Sequence, residues 1–218
     1  MSRTMRFLTV IAGVPAIIVS SPAAAQIAPG KSGTSSMHYY SGQGAWDTLT
    51  IFGSCYAVRN KTKALELVST KADSLEEAKA YKRLFRNQDQ SCLSLASELR
   101  VDYQMVRGAI AEGLYQKAVP VPATLAVAQP PSVDKIRNFM DASLCYAAAH
   151  RDEVRTLLAT TRLGTKSEDK VISPIIEKFG ECIPEGARSI SVSSSMMRVR
   201  LAEAMWLLGE SAGGAGAP

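Results

Sequence analysis

Four cysteines carry the most recognisable chemistry in this chain, and their spacing repeats. Cys55 and Cys92 stand 37 positions apart, Cys145 and Cys182 also stand 37 apart, and the second pair follows the first by 90. A thiol oxidoreductase sets its cysteines two apart at a helix N-terminus, and a structural zinc site draws on close pairs such as C-x-x-C twice. Neither spacing occurs, so the pattern points to structural disulfides of an oxidising compartment. Four cysteines allow three connectivities. Repetition favours Cys55–Cys92 and Cys145–Cys182, because one ancestral unit would bond only within itself. In the chain-entropy account, closing a loop of this size stabilises a unit by about 4 kcal/mol.

Groups for acid–base or nucleophilic chemistry are sparse. His38 stands in a Gly/Ser-rich stretch beside Tyr39 and Tyr40, and His150 aligns with Asn60 of the other repeat, so both read as surface residues. H-E-x-x-H, G-x-S-x-G, GxxxxGK[ST] and GxGxxG are absent. Two S-x-x-K strings, Ser132–Lys135 and Ser167–Lys170, fall where helices begin and serine is a good N-cap. Neither is followed by the S-x-N or K-T-G partner of a penicillin-binding enzyme. No catalytic residue, cofactor site or metal ligand is therefore assigned.

The repeated polar candidates are Arg107 with Glu112 and Arg198 with Glu203. Five helical residues span about 140°, so the Arg and Glu of one helix look to different neighbours. They fit either structural ion pairs between helices or the lining of a polar site present twice. A glutamate from each unit would also suit a glycosidase-type pair, but no spacing brings the two together. The basic runs Arg59–Lys63, Lys79–Arg86 and Arg198–Arg200 read as solvated helix faces.

The elements that must hold these residues occur twice. "CYAVRNKTKALELVST" (Cys55–Thr70) aligns with "CYAAAHRDEVRTLLAT" (Cys145–Thr160). After one inserted residue, "VRGAIAEGLY" (Val106–Tyr115) aligns with "MRVRLAEAMW" (Met197–Trp206). A repeat this long is a small domain rather than a solenoid rung. Trp46, Leu49, Phe52 and Tyr56 recur at helical steps, matched by Ile136, Phe139 and Tyr146. A second helix follows from about Thr62 and Asp152. A third opens with the capping boxes Ser74–Glu77 and Thr165–Glu168, and Gly180 fits its C-terminal stop in the second copy. A fourth helix holds the Arg…Ala-Glu…aromatic phrase, and "ELRVDY" and "SISV" before it suit short extended pieces. The expected fold is all-α, two tandem four-helix units from an internal duplication, each stapled by one disulfide.

Outside the units the composition changes. Residues 1–25 read as a signal peptide, with Arg3 and Arg6 before an apolar run and Ala23 and Ala25 at an A-x-A cleavage site. Residues 26–44 read as a flexible tail, 45–116 as unit 1, and 117–132 as an extended Pro/Ala-rich linker. Residues 133–208 read as unit 2 and 209–218 as a second flexible tail. Removing the signal takes two arginines and no acid, lowering the formal net charge from +5 to +3. No membrane span is expected after that removal, and export makes nucleic acid an unfavoured partner.

The Ala-rich cleavage site, the two Cys-Tyr-Ala helices and the two Arg…Ala-Glu…aromatic helices resemble a group of exported proteobacterial helical proteins with a duplicated Cys-containing unit. The resemblance covers both units but not the tails, and implies no activity, substrate or catalytic residue. The expected protein is periplasmic or secreted, with a structural or interaction role toward an envelope protein or a second copy. Two alternatives stand beside it. A small-ligand carrier or receptor of the envelope needs a pocket of roughly 300 Å3 or more. A hydrolase without a recognisable motif needs a carboxylate or histidine with a strongly shifted pKa in a cleft.

Overall fold

The computed structural model describes residues 43–72, 74–86, 92, 102–125, 127–185 and 192–212. The expected signal peptide, most of the 26–44 tail, most of both extended strings and residues 213–218 lie outside the described residues. Among the described residues all regular structure is helical. Helices α1 (Gln43–Arg59), α2 (Lys61–Val68), α3 (Leu75–Arg86) and α4 (Tyr103–Gln116) come from the first copy. Helices α5 (Phe139–Ala149), α6 (Arg151–Thr160), α7 (Lys166–Phe179) and α8 (Ser194–Leu207) come from the second. Both expected disulfides are present, with Cα–Cα distances of 5.5 Å for Cys55–Cys92 and 5.9 Å for Cys145–Cys182.

The last helix of each copy forms the centre. Every residue from Met105 to Tyr115 and from Met197 to Trp206 is buried. A helix without a polar face must be covered all round, and here the two central helices cover each other. Gly108 of α4 meets Val199 of α8, and a Cβ on Gly108 would lie 2.5 Å from the Val199 Cβ. These are equivalent positions of the two copies, so a local two-fold axis passes between them. The surface is self-complementary in the manner of a symmetric dimer, but with glycine on one side and valine on the other.

The remaining helices wrap this pair. Helix α1 buries Leu49, Phe52 and Tyr56 and lies closest to α4, because Gly53 and Gly113 bring their backbones together. A Cβ on Gly53 would stand 2.1 Å from the Ala109 carbonyl oxygen, and one on Gly113 would stand 2.5 Å from that of Gly53. Helices α3 and α7 start at the expected caps, with the Glu77 amide donating to Ser74 Oγ (3.1 Å) and the Glu168 amide to Thr165 Oγ1 (3.3 Å).

Several expectations are shifted. Helix α5 starts at Phe139 rather than near Ile136, because the Asn138 side chain accepts the Asp141 amide and caps the helix there. Helices α2 and α6 begin one residue before Thr62 and Asp152, with Asn60 and His150 at their N-caps. Gly180 ends α7 in right-handed conformation (φ −55°), leading into a 3-10 turn that delivers Cys182 to its disulfide. The 117–132 segment is seated on the core rather than free of it: Val119, Val121 and Leu125 pack against it. Trp206 Nε1 donates to the Val119 carbonyl at 2.8 Å. The second tail is likewise held at its start. Glu210 accepts from Arg151 (3.1 Å) and Arg155 (3.3 Å), and the Ala212 amide reaches the Tyr115 carbonyl.

Candidate functional site

Antisymmetric placement of charge on α4 and α8 makes the four repeated polar residues partners across the duplication. Arg107 Nε donates to Glu203 Oε1 at 2.6 Å, and Arg198 Nη2 donates to Glu112 Oε1 at 2.7 Å. Within one helix the Arg and Glu do not meet, as the 140° offset requires. All four side chains are buried, so these are ion pairs inside the molecule.

Each guanidinium also closes the end of a neighbouring helix, where carbonyls lack intrahelical donors. Arg107 donates to the Leu67, Val68 and Thr70 carbonyls at 2.8–3.0 Å, to Thr70 Oγ1 and to Glu77 Oε1. Arg198 does the same at the end of α6, reaching the Leu157 and Thr161 carbonyls and Thr161 Oγ1. Every N–H of both guanidinia is engaged. Glu77 and Glu168, expected as capping-box residues, are thus also the second carboxylates facing these arginines. Their fit differs: Glu77 lies 3.0 Å from Arg107, and Glu168 lies 3.9 Å from Arg198.

That difference sets the electrostatics. Burial raises the Glu168 carboxyl above the ordinary carboxylate range, and its bond from the Gly164 amide (2.6 Å) and the Arg198 charge only partly offset this. Burial would raise Glu203 too, but the charges of Arg107 and Arg200, with their hydrogen bonds, outweigh it and hold Glu203 below that range.

Arg200 was expected on a solvated basic face and is instead 3% exposed. Helix α8 has no solvated face, which is the physical reason. Its Nη1 donates to Glu203 Oε2 at 2.7 Å, and its copy-1 equivalent is Ala109. Beside it opens a cavity of about 380 Å3, walled by the Ser69–Ala72 turn of copy 1, the first turn of α5, and Arg200, Glu203 and Leu207 of α8. The reason for the space is the shifted start of α5. Across the pseudo-two-fold, Trp46 packs against Gly164 so closely that a Cβ there would be 1.8 Å from Cδ1 of the indole. The residue aligned with Trp46 is Ile136, which precedes α5, so no indole fills the equivalent corner.

The remaining sequence candidates lie elsewhere. His150 stacks on Tyr146 (4.4 Å between ring centroids) and pairs with Glu181 at 3.3 Å, at the junction of α5 and α6. The four cysteines act as staples and none is free. Among the described residues no cluster of three or more His, Cys, Asp or Glu side chains is gathered as a metal site. Sequence reasoning missed Arg200, Thr70 and Thr161. The signal for Arg200 was the apolar or small character of nearly every other residue of α8. The fold and site define an all-α, disulfide-stapled protein with a buried inter-unit ion-pair frame and an open corner beside Arg200. Comparison with protein-family models, curated proteins and solved structures gave no match.

Proposed function

We propose that this chain is a non-enzymatic, extracytoplasmic binding protein that carries or senses a small ligand at the junction of its two units. The cavity carries this reading. Its volume falls in the range of small-molecule sites, and its walls come from both copies, held by buried ion pairs and two disulfides. A pre-formed wall lowers the ordering cost of binding. The compartment rests on the disulfides, which persist where thiols are oxidised, and on the export signal read in residues 1–25. Among the described residues no helix is long and apolar enough to cross a membrane. Glu203, held ionised by two guanidinia, serves as a counter-ion at neutral pH rather than as a proton donor.

An interaction role is the second reading. It rests on Ile51 and Val58, 50% and 59% exposed and two turns apart on one side of α1.

Native mass spectrometry of the protein recovered from its own periplasm tests the first reading. The expected spectrum shows cleavage after Ala25, oxidised cysteines and an added mass of small-molecule size. Met140→Trp, which fills the cavity from its wall, should lack that mass. A bare protein that also takes up nothing from periplasmic extract would overturn the carrier reading, and a protein-sized adduct would favour the second.

A further inference from the structure

Given that the cavity is a ligand site, we infer that its ligand is a small organic carboxylate with an apolar body, received by the guanidinium of Arg200. The three buried arginines of the central helices differ in how completely they are used. Arg107 and Arg198 engage all of their N–H groups. Among the described residues Arg200 makes one hydrogen bond, to Glu203, and its side chain lines the cavity. A guanidinium carries five N–H donors in a planar fork, and the unused donors of Arg200 are not sealed from solvent, so a ligand entering the cavity can reach them. A carboxylate meets that fork with two parallel bonds, the strongest and most directional match available.

Arg200 is also surplus to the frame. Its equivalent in copy 1 is Ala109, and Glu203 already has Arg107 as a partner at 2.6 Å. The ion-pair frame therefore closes without it in copy 1, and copy 2 has an additional cation at the cavity. Charge balance agrees. Lys71, Arg107 and Arg200 line the cavity against Asp141 and Glu203, and Asp141 Oδ2 already accepts the Arg137 amide at 2.9 Å. The first turn of α5, at the positive end of that helix's dipole, forms part of the wall. Lys71 stands exposed at the cavity, where it would attract anions from solvent.

The other walls define the rest of the ligand. Val68, Phe139, Met140 and Leu207 supply the apolar part of the lining. An inorganic oxyanion would leave that surface uncovered, whereas an acid with a ring or branched chain covers it.

Isothermal titration of the full-length mature, oxidised protein with benzoate, benzyl alcohol and benzylammonium at pH 7 tests this. These three probes share one apolar body and differ in charge. Benzoate should bind about tenfold or more tightly than benzyl alcohol, as a site built for a polar group rejects an analogue lacking it. Arg200→Met should remove that preference while leaving benzyl alcohol binding and the helical circular dichroism unchanged. Met140→Trp should abolish binding of every probe. Benzyl alcohol or benzylammonium binding as tightly as benzoate, or benzoate binding unaltered in Arg200→Met, would overturn the carboxylate assignment and leave the cavity a ligand site. Failure of all three probes to bind at millimolar concentration would overturn the ligand site itself.

Discussion

Glu203 and Glu168 are both fully buried carboxylates facing arginines of the central helices, yet burial ends differently for each. Arg107 and Arg200 hold Glu203 as an anion, so its favourable contribution is present above the ordinary carboxylate range. That contribution is lost as pH falls through its depressed folded pKa. Arg198, 3.9 Å from Glu168, only partly offsets burial, which raises this carboxyl. Between the ordinary and the raised pKa the folded state binds the extra proton, so stability increases as pH falls through the folded value. Replacing each by glutamine should separate them. Glu203→Gln leaves Arg200 without a carboxylate and Arg107 with Glu77 alone, and should cost about 3 kcal/mol at pH 7. Glu168→Gln keeps an acceptor for the Gly164 amide, should change stability by less than about 1 kcal/mol, and should flatten the gain on acidification. Urea unfolding at pH 7 and pH 5 measures both, and equal losses for the two variants would contradict this account. The four frame residues were legible in the sequence because they recur in register. Their partners were not, since Arg107 and Glu203 lie 96 positions apart and Arg198 and Glu112 lie 86 apart. Arg200 was masked by its neighbour, because two arginines in three residues resemble a solvated run until the helix around them is seen to be apolar.

At the scale of the elements, close approach rather than side-chain volume sets how α1 meets α4. A methyl group on Gly53 has no flexible neighbour to push aside, since the contacting atoms are the Ala109 carbonyl carbon and oxygen. Gly53→Ala should therefore force the backbones apart and cost about 3 kcal/mol, the upper end of ordinary overpacking. Gly180→Ala is the matched control. Its φ is −55° and nothing lies within 4 Å of a Cβ there, so it should stabilise by about 0.4–1 kcal/mol through the unfolded chain. Thermal unfolding of the two variants side by side reads the contrast, and a neutral Gly53→Ala would show that the helices are not limited by backbone contact. Helical period and the capping boxes made the eight α-helices among the described residues legible. The start of α5 was not, because Ile136 continues the apolar period while Asn138 stops the helix. That one displaced helix start opens the cavity, so the feature that carries the functional reading is where period and cap disagree.

For the whole molecule, the pseudo-two-fold explains why two copies in one chain behave differently from two identical copies. At the axis, identical units would place glycine on glycine and leave a void, or valine on valine and collide. This chain places Gly108 against Val199, and the surrounding frame repeats with Arg107 facing Glu203 as Arg198 faces Glu112. Exchanging the two axial residues should therefore recover much of what each single change loses. Gly108→Val overfills the crossing, and Val199→Gly empties it and adds a helix-interior glycine, costing about 1 kcal/mol beyond lost packing. In the double variant the valine knob enters from the other side, the mirror of the native arrangement. Its cost should fall short of the sum of the singles by a coupling within the 0.5–3 kcal/mol (roughly) expected of residues in contact. A double-mutant cycle by urea unfolding measures that coupling. Additive costs would mean that the two faces have diverged too far for the axis to be exchanged, and would remove the pseudo-symmetric explanation of why the cavity opens on one side of the molecule.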